Sequence, residues 1–353
     1  MTIGHRGAPC RKGGGSIGHR KQHTPRRGSL AFMPRSRAAG LLPRIRTWPE
    51  LPEGEKPRLL GTIAYKAGMT HVIMIDDRQT VPNAGKPLFK AVTVLAIPPL
   101  YVLGMRLYGY RDGYQYVLGD ALNYSDGRVF GGKPKKYSSL EQSLKDLESV
   151  LGDAVRMSAI VYSIPKDVGL TQRRPFMMEV AVSGGNMKQR FDYLSALIGA
   201  SVSAEDVVKP GTYMDVISVS KGKGFQGPVK RFGIKRKQHK SRKSVREPGT
   251  LGPWHPAAVM RTVPMAGQMG FHQRIEYNKR VIALADESER PVTPPGGFLH
   301  FGVIRGKYVM LAGSVPGPAK RPVILRYPLR QPSIRLGVPT ITYIDSVQGG
   351  AKQ

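Results

Sequence analysis

The chain has 353 residues, with 55 lysines and arginines against 24 aspartates and glutamates, a formal net charge of +31. That excess excludes an ordinary soluble enzyme as the default reading and directs attention to polyanionic partners. At 40% hydrophobic residues the chain can still bury a core, and its length suggests about two domains.

The amino-terminal stretch before Glu50 carries Arg6, Arg11, Lys12, Arg20, Lys21, Arg26, Arg27, Arg35, Arg37, Arg44 and Arg46, and no carboxylate. It is basic but lacks an apolar segment after the cations, so it does not read as a secretory signal. Cys10 is the only cysteine, which removes any intrachain disulfide or multi-cysteine zinc site and fits a reducing, cytoplasmic compartment. Residues 59–65 and 71–75 are β-rich runs, and Lys66-Ala67-Gly68-Met69-Thr70 between them reads as a hairpin connection. Residues 92–97 are a further strand. The longest uncharged run, residues 91–105, contains Pro98-Pro99 and falls short of the ~20 apolar residues needed to span a bilayer. No membrane partner is expected.

Residues 139–151 place Leu140, Leu144, Leu147 and Leu151 on one helical face, with Ser138 and Glu141 as a capping box and Gly152 as the stop. Strands follow at 155–164 and 176–182. A second helix opens after Asn186, with Phe191, Leu194, Leu197 and Ile198 on one face before Gly199. Strands are then expected at 213–219, 301–304, 308–311 and 323–326. The pattern is that of a mainly β protein with an α+β insertion into a β-barrel.

A second acid-free stretch holds Lys221, Lys223, Lys230, Arg231, Lys235, Arg236, Lys237, Lys240, Arg242, Lys243 and Arg246. Glycines and prolines break every helical or strand window in both arms. Such segments are expected to stay extended until a polyanion neutralises them. The internal arm is interleaved with Phe225, Phe232, His239 and Trp254, a combination suited to phosphate contact and base stacking. Gly222-Lys223-Gly224-Phe225-Gln226-Gly227 matches a dinucleotide-binding fingerprint, but Pro228 and a basic run follow where a helix is required, and no carboxylate stands near the ribose position. His19 and His23 have zinc-helix spacing, yet Arg20 replaces the required glutamate. Asp76 and Asp77, adjacent at a strand end, would face opposite ways rather than form an acid–base pair. No cofactor, metal or small-molecule substrate is expected. In Gly252-Pro253-Trp254-His255-Pro256, stiff backbone presents an indole and an imidazole; the bland alternative is a tryptophan buried in the core.

From His19 onward these residues resemble the family of large-subunit ribosomal protein three in its archaeal and eukaryotic form. Residues 19–30 with Pro34-Arg35 resemble its basic arm, and residues 61–71 its first barrel hairpin. Residues 222–231 resemble the start of its long internal loop. Trp254-His255-Pro256, residues 266–274, Glu276 and Asn278-Lys279 resemble the tip and return limb. Gly296-Gly297, Met310-Leu311, residues 316–318 and Lys320-Arg321 resemble its closing strands. The resemblance implies a closed Greek-key translation-protein β-barrel with an α+β insert and long irregular basic extensions. It divides the chain into an extension at 1–48, barrel parts at 49–92 and 208–345, an insert at 93–207, an internal loop at 221–272 and a tail at 346–353. It also implies a structural, non-enzymatic protein of the large ribosomal subunit that binds 23S rRNA near its 3′ region and reaches toward the peptidyl transferase centre. Expected neighbours are proteins fourteen and twenty-four-e. The rRNA contacts so implied are Arg20, Lys21, His23, Arg26, Arg27, Arg35, Arg37, Lys66, Lys221, Lys223, Phe225, Lys230, Arg231, Lys235, Arg236, Lys237, His239, Lys240, Arg242, Lys243, Arg246, Trp254, His255, Arg261, Gln268, His272, Arg274, Lys279, Lys320 and Arg321, with Trp254, His255 and Pro256 at the loop tip. Residues 1–17 extend beyond the match, and Ala258 stands where the family commonly has arginine. The rival readings are an RNA-modifying enzyme, which would need a cofactor or acid–base pocket, and a free translation factor built on a similar barrel.

Overall fold

A computed structural model describes residues 25–124, 129, 139–241, 243–332 and 336–346. By its own contacts the chain separates into two units, residues 36–223 with 270–353, and residues up to 35 with 224–269. In the larger unit the strands are β1 (Arg58–Leu59), β2 (Gly61–Ile75), β3 (Pro87–Ala96), β4 (Leu100–Arg111), β5 (Tyr114–Leu122), β6 (Arg156–Ser163), β7 (Phe176–Ser183), β8 (Ser201–Val202) and β9 (Tyr213–Val219). The smaller unit holds β10 (Phe225–Gln226) and β11 (Gly267–Gln268), after which the larger unit resumes with β12 (Gln273–Asp286), β13 (Lys307–Ala312), β14 (Pro322–Arg326) and β15 (Ile341–Ile344). Among the described residues, no helix is long and apolar enough to cross a membrane.

One sheet runs β14-β9-β12-β13-β3-β2-β15, and β14 also pairs β2, so the antiparallel pairings return to their starting strand after six strands. The burial pattern explains the arrangement. All five residues of β14 are buried because the strand has a neighbour on each side, and Val92 to Ala96 of β3 are buried as a continuous run. Ile63, Val94, Val216, Met310 and Val323, one from each of five ring strands, are fully enclosed. One charge pair sits in this apolar setting. Arg326 donates to Asp215 at 2.6 Å and to the Thr47 carbonyl at 2.7 Å. Asp215 also accepts the backbone N–H groups of Asn278 and Leu329 at 3.0 and 3.1 Å, so both of its oxygens are hydrogen-bonded.

The second sheet runs β1-β7-β6-β4-β5, with β8 on β4. Helices α1 (Leu140–Ser149) and α2 (Met187–Leu197) pack on it, α1 against β5 and α2 against β4 and β6. Leu147, Phe191 and Leu194 are their buried residues, as the leucine and aromatic spacing required. A short α3 (Ala204–Val207) follows. Asn186 and Gln189 form a reciprocal capping box on α2.

Several expectations need correction. Residues 59–75 do not form a hairpin: β2 is one 15-residue strand, and its register against β3 shifts between Lys66 and Gly68. The Gly-containing stretch is a bulge within a strand, with the Phe298 ring against Gly68 where a side chain would stand. The cap of α1 is Ser139, whose hydroxyl accepts from Gln142 N, rather than Ser138, which lies outside the described residues. Residues 301–304 form no strand; only a Phe298–Gly302 bridge occurs there. Strands β4, β5, β12 and β15 escaped the sequence reading. Finally, Pro228 does open a helix, α4 (Pro228–Phe232), because proline lacks only an N–H that the first helical turn leaves unpaired.

Candidate nucleic-acid interface

Within the smaller unit, β10 pairs β11 antiparallel and so brings the two limbs of the internal loop together at its base. Helix α4 starts at once after the Gly227 cap and ends on Gly233, which adopts φ 65°. Phe232 is buried, and two guanidinium groups lie on its ring, Arg35 at 4.2 Å and Arg231 at 5.1 Å. Arg35 donates to the Arg231 carbonyl at 2.9 Å. Arg231 in turn donates to the carbonyls of Gln268 and Met265 at 2.9 and 3.0 Å. Burial, and then the like charge of Arg35, lower the Arg231 pKa from its ordinary value. Gly28 is required beside them: at φ 79° a β-carbon would stand 2.5 Å from the Phe232 ring and 2.8 Å from Arg35.

These contacts divide the sequence-selected residues into two groups. Arg35, Arg231 and Gln268 are internal struts, and Arg26, itself exposed, adds a bond to the Thr262 carbonyl at 2.7 Å. Phe232, expected to stack on bases, is instead the platform beneath the two arginines. Lys237 is half-buried and pairs with Glu247 at 3.3 Å. By contrast, Arg27, Lys230, Lys235, Arg236, His239, Lys240, Lys243, Arg246, His255 and Arg261 are exposed. Phe225 is 78% exposed and Trp254 88%, so Trp254 is no core residue. Every residue from 251 to 260, including Pro256, is exposed, among them the apolar Val259 and Met260, five and six positions after Trp254. Arg20, Lys21, His23 and Arg242 lie outside the described residues.

In the larger unit Arg37, Lys221, Lys223 and Lys320 are exposed. Lys66 is half-buried, and its amine donates to the carbonyls of Val315 and Gly317 at 2.5 and 3.0 Å. Burial lowers its pKa against the opposing pull of Glu276. The Arg321 guanidinium lies 5.3 Å from the Phe271 ring centre, and burial lowers its pKa. His272 is buried, with Nδ1 donating to the Ser36 carbonyl at 2.8 Å. Lys279 pairs with Glu276 at 2.6 Å, and Arg274 donates to the Gln273 carbonyl at 2.9 Å. Asp76 and Asp77 do take different partners, Arg78 and Arg280. Among the described residues no group of three histidine, cysteine or carboxylate side chains is placed to hold a metal ion.

The strut network was not legible in advance. Its only signal was the pair Gly227 and Gly233 bracketing five residues that start with Pro228, the length of one short capped helix.

Fold and site together define a class: a β protein whose positive charge is gathered on an exposed loop and stiffened from within by arginines. The comparisons are specific. A family model described as ribosomal protein L3 matches residues 17–348, and the chain belongs to that family. It is 47% identical over 320 residues to large ribosomal subunit protein uL3 of Pyrobaculum calidifontis, covering 88% of this chain and 94% of the relative. The uL3 protein of Caldivirga maquilingensis is 42% identical over 346 residues, covering 93% and 98%. That of Methanococcus vannielii is 40% identical over 334 residues, covering 93% and 99%.

Proposed function

We propose that this protein is a structural constituent of the large ribosomal subunit in the cytoplasm, where its basic loop neutralises rRNA phosphates and performs no chemistry itself. One observation carries the reading: the internal arginines Arg35 and Arg231 donate to backbone carbonyls and not to carboxylates, while most of the loop's other described cations and Trp254 are turned outward. A loop built to neutralise itself would place carboxylates beside those cations. Apart from the Lys237–Glu247 pair, this one leaves its charge for an outside polyanion.

On this reading the six-strand ring is a closed Greek-key barrel of the translation-protein type. Residues 1–48 are an rRNA-binding extension, 93–207 an insert, and 221–272 a loop that runs through 23S rRNA near its 3′ region toward the peptidyl transferase centre. Trp254, His255 and Pro256 lie at its tip. Neighbouring large-subunit proteins, fourteen and twenty-four-e among them, contact the remaining surface.

The test is the salt dependence of binding between the full chain and a large-subunit rRNA fragment. Replacing exposed Lys235, Arg236 and Lys240 by glutamine should reduce the slope of log K against log salt by about 2, at roughly 0.7 per phosphate for a single strand. An unchanged slope would mean that these cations face solvent rather than phosphate.

A further inference from the structure

A separate cleft of about 790 Å³ lies in the larger unit, between the irregular segment 42–48 and the face of the second sheet. Its floor is formed by Leu103, Ile160 and Met177, the last of them half exposed. Arg44, Arg46 and Arg156 line it, as does Tyr108 with the Arg156 guanidinium 5.7 Å from its ring centre. The carboxylates at this place are already committed. Arg106 pairs with Asp120 at 2.6 Å and with Glu179, and the Tyr108 hydroxyl donates to Glu179 at 2.5 Å. Among the described residues no carboxylate pairs with Arg44, Arg46 or Arg156.

We infer that this cleft holds a short single-stranded segment of RNA, with a base laid against the Tyr108 ring and Met177 and its flanking phosphates on Arg44, Arg46 and Arg156. The inference rests on the reading of the protein as an rRNA binder but uses none of the loop residues. Charge complementarity calls for an anion, and the volume is within the range of sites that enclose a small ligand. An acidic peptide would satisfy the arginines yet offer nothing flat for the apolar floor. A nucleotide joins a planar base to a phosphate, and unpaired bases stack readily on aromatic rings and guanidinium planes. The two outermost arginines are exposed, while Pro43 and Ile45 between and beside them turn inward, so the segment presents its cations without losing its own anchorage.

The experiment is ultraviolet cross-linking of assembled large subunits carrying either the wild-type chain or the Arg44→Gln/Arg46→Gln variant, followed by mass spectrometry of nucleotide-bearing peptides. Adducts are expected on peptides containing Tyr108 or Met177 and on loop peptides containing Phe225 or Trp254. In the variant the cleft adducts should be lost and the loop adducts retained. For the isolated chain, the variant should lower the salt slope by about 1.4, two phosphates at roughly 0.7 each. Loop adducts without cleft adducts, or a peptide of another protein cross-linked in the cleft, overturn the inference and leave the loop reading standing. Loss of adducts at both places overturns both.

Discussion

Strand β14 and helix α4 each contain five residues, and they hold a positive charge in opposite ways. In β14 every residue is buried, and Arg326 is matched by the carboxylate of Asp215. In α4 only Pro228 and Phe232 are buried, and Arg231 is held by two main-chain carbonyls and an aromatic ring. The difference follows from where each unit's charge is needed. Inside an apolar sheet an unmatched charge is costly, so a counter-charge is required. On the proposed reading, a loop directed at phosphate gains from neutral acceptors, because carbonyls orient a guanidinium without cancelling it.

The sharpest way to break this contrast is to remove the carboxylate. Asp215→Asn leaves Arg326 buried without a counter-charge and should cost about 3–5 kcal/mol. That is a large part of the 5–15 kcal/mol typical of a folded domain. Urea unfolding of the purified chain measures it, and adding Arg326→Met to the Asn variant should restore part of the loss. If Asp215→Asn is neutral, the pair does not hold the ring.

Phe232→Ala should act more locally and cost less than the ~3–5 kcal/mol of a fully enclosed phenylalanine. Hydrogen exchange is expected to quicken in residues 25–35 and 224–269 and to stay unchanged in β2, β9 and β14. Spread of the effect into the ring strands would show that the two units are not separately stabilised. Trp254→Ala completes the series: with 88% of the residue exposed, unfolding should not change. On the proposed reading it removes a stacking contact worth ~1–3 kcal/mol. Chemical probing of rRNA in mutant subunits should then show altered reactivity near the peptidyl transferase centre, and subunit incorporation should persist. Changes confined to rRNA elsewhere would remove Trp254 from the tip.

Much of this architecture could be read from residue order. The leucine spacing of α1 and the Asn186 cap of α2 specify their helices locally, and the β-branched runs at 213–219 and 323–326 are buried strands that announce themselves by composition. Elements whose character depends on distant partners were not legible. Residues 66–70 contain a turn-like glycine, yet pairing with β3, across the bulge between Lys66 and Gly68, keeps them in a continuous strand. Residues 273–286 begin in a cationic stretch with the polar look of a loop, and only their pairing with β9 and β13 makes them β. At the candidate site, charge marks the loop but is blind to purpose: Arg35 and Arg231 read the same as Lys235 and Arg236 until the carbonyls that Arg35 and Arg231 bond are seen.

The ring's closing strand also sets a timetable. A nascent chain leaves its exit tunnel amino terminus first, and β14 must reach β2 across roughly 250 intervening residues, which take about 12–50 s to make at typical bacterial-scale synthesis speeds. Throughout that interval one edge of β2 is open for mispairing, and in its later part the cationic loop has been made and can capture any stray polyanion. Pairings so distant in sequence are also slow to find one another once available. A cell producing this protein must therefore shield an unfinished, highly charged β-chain for most of its synthesis, which makes the last tenth of the sequence the step that releases it for assembly.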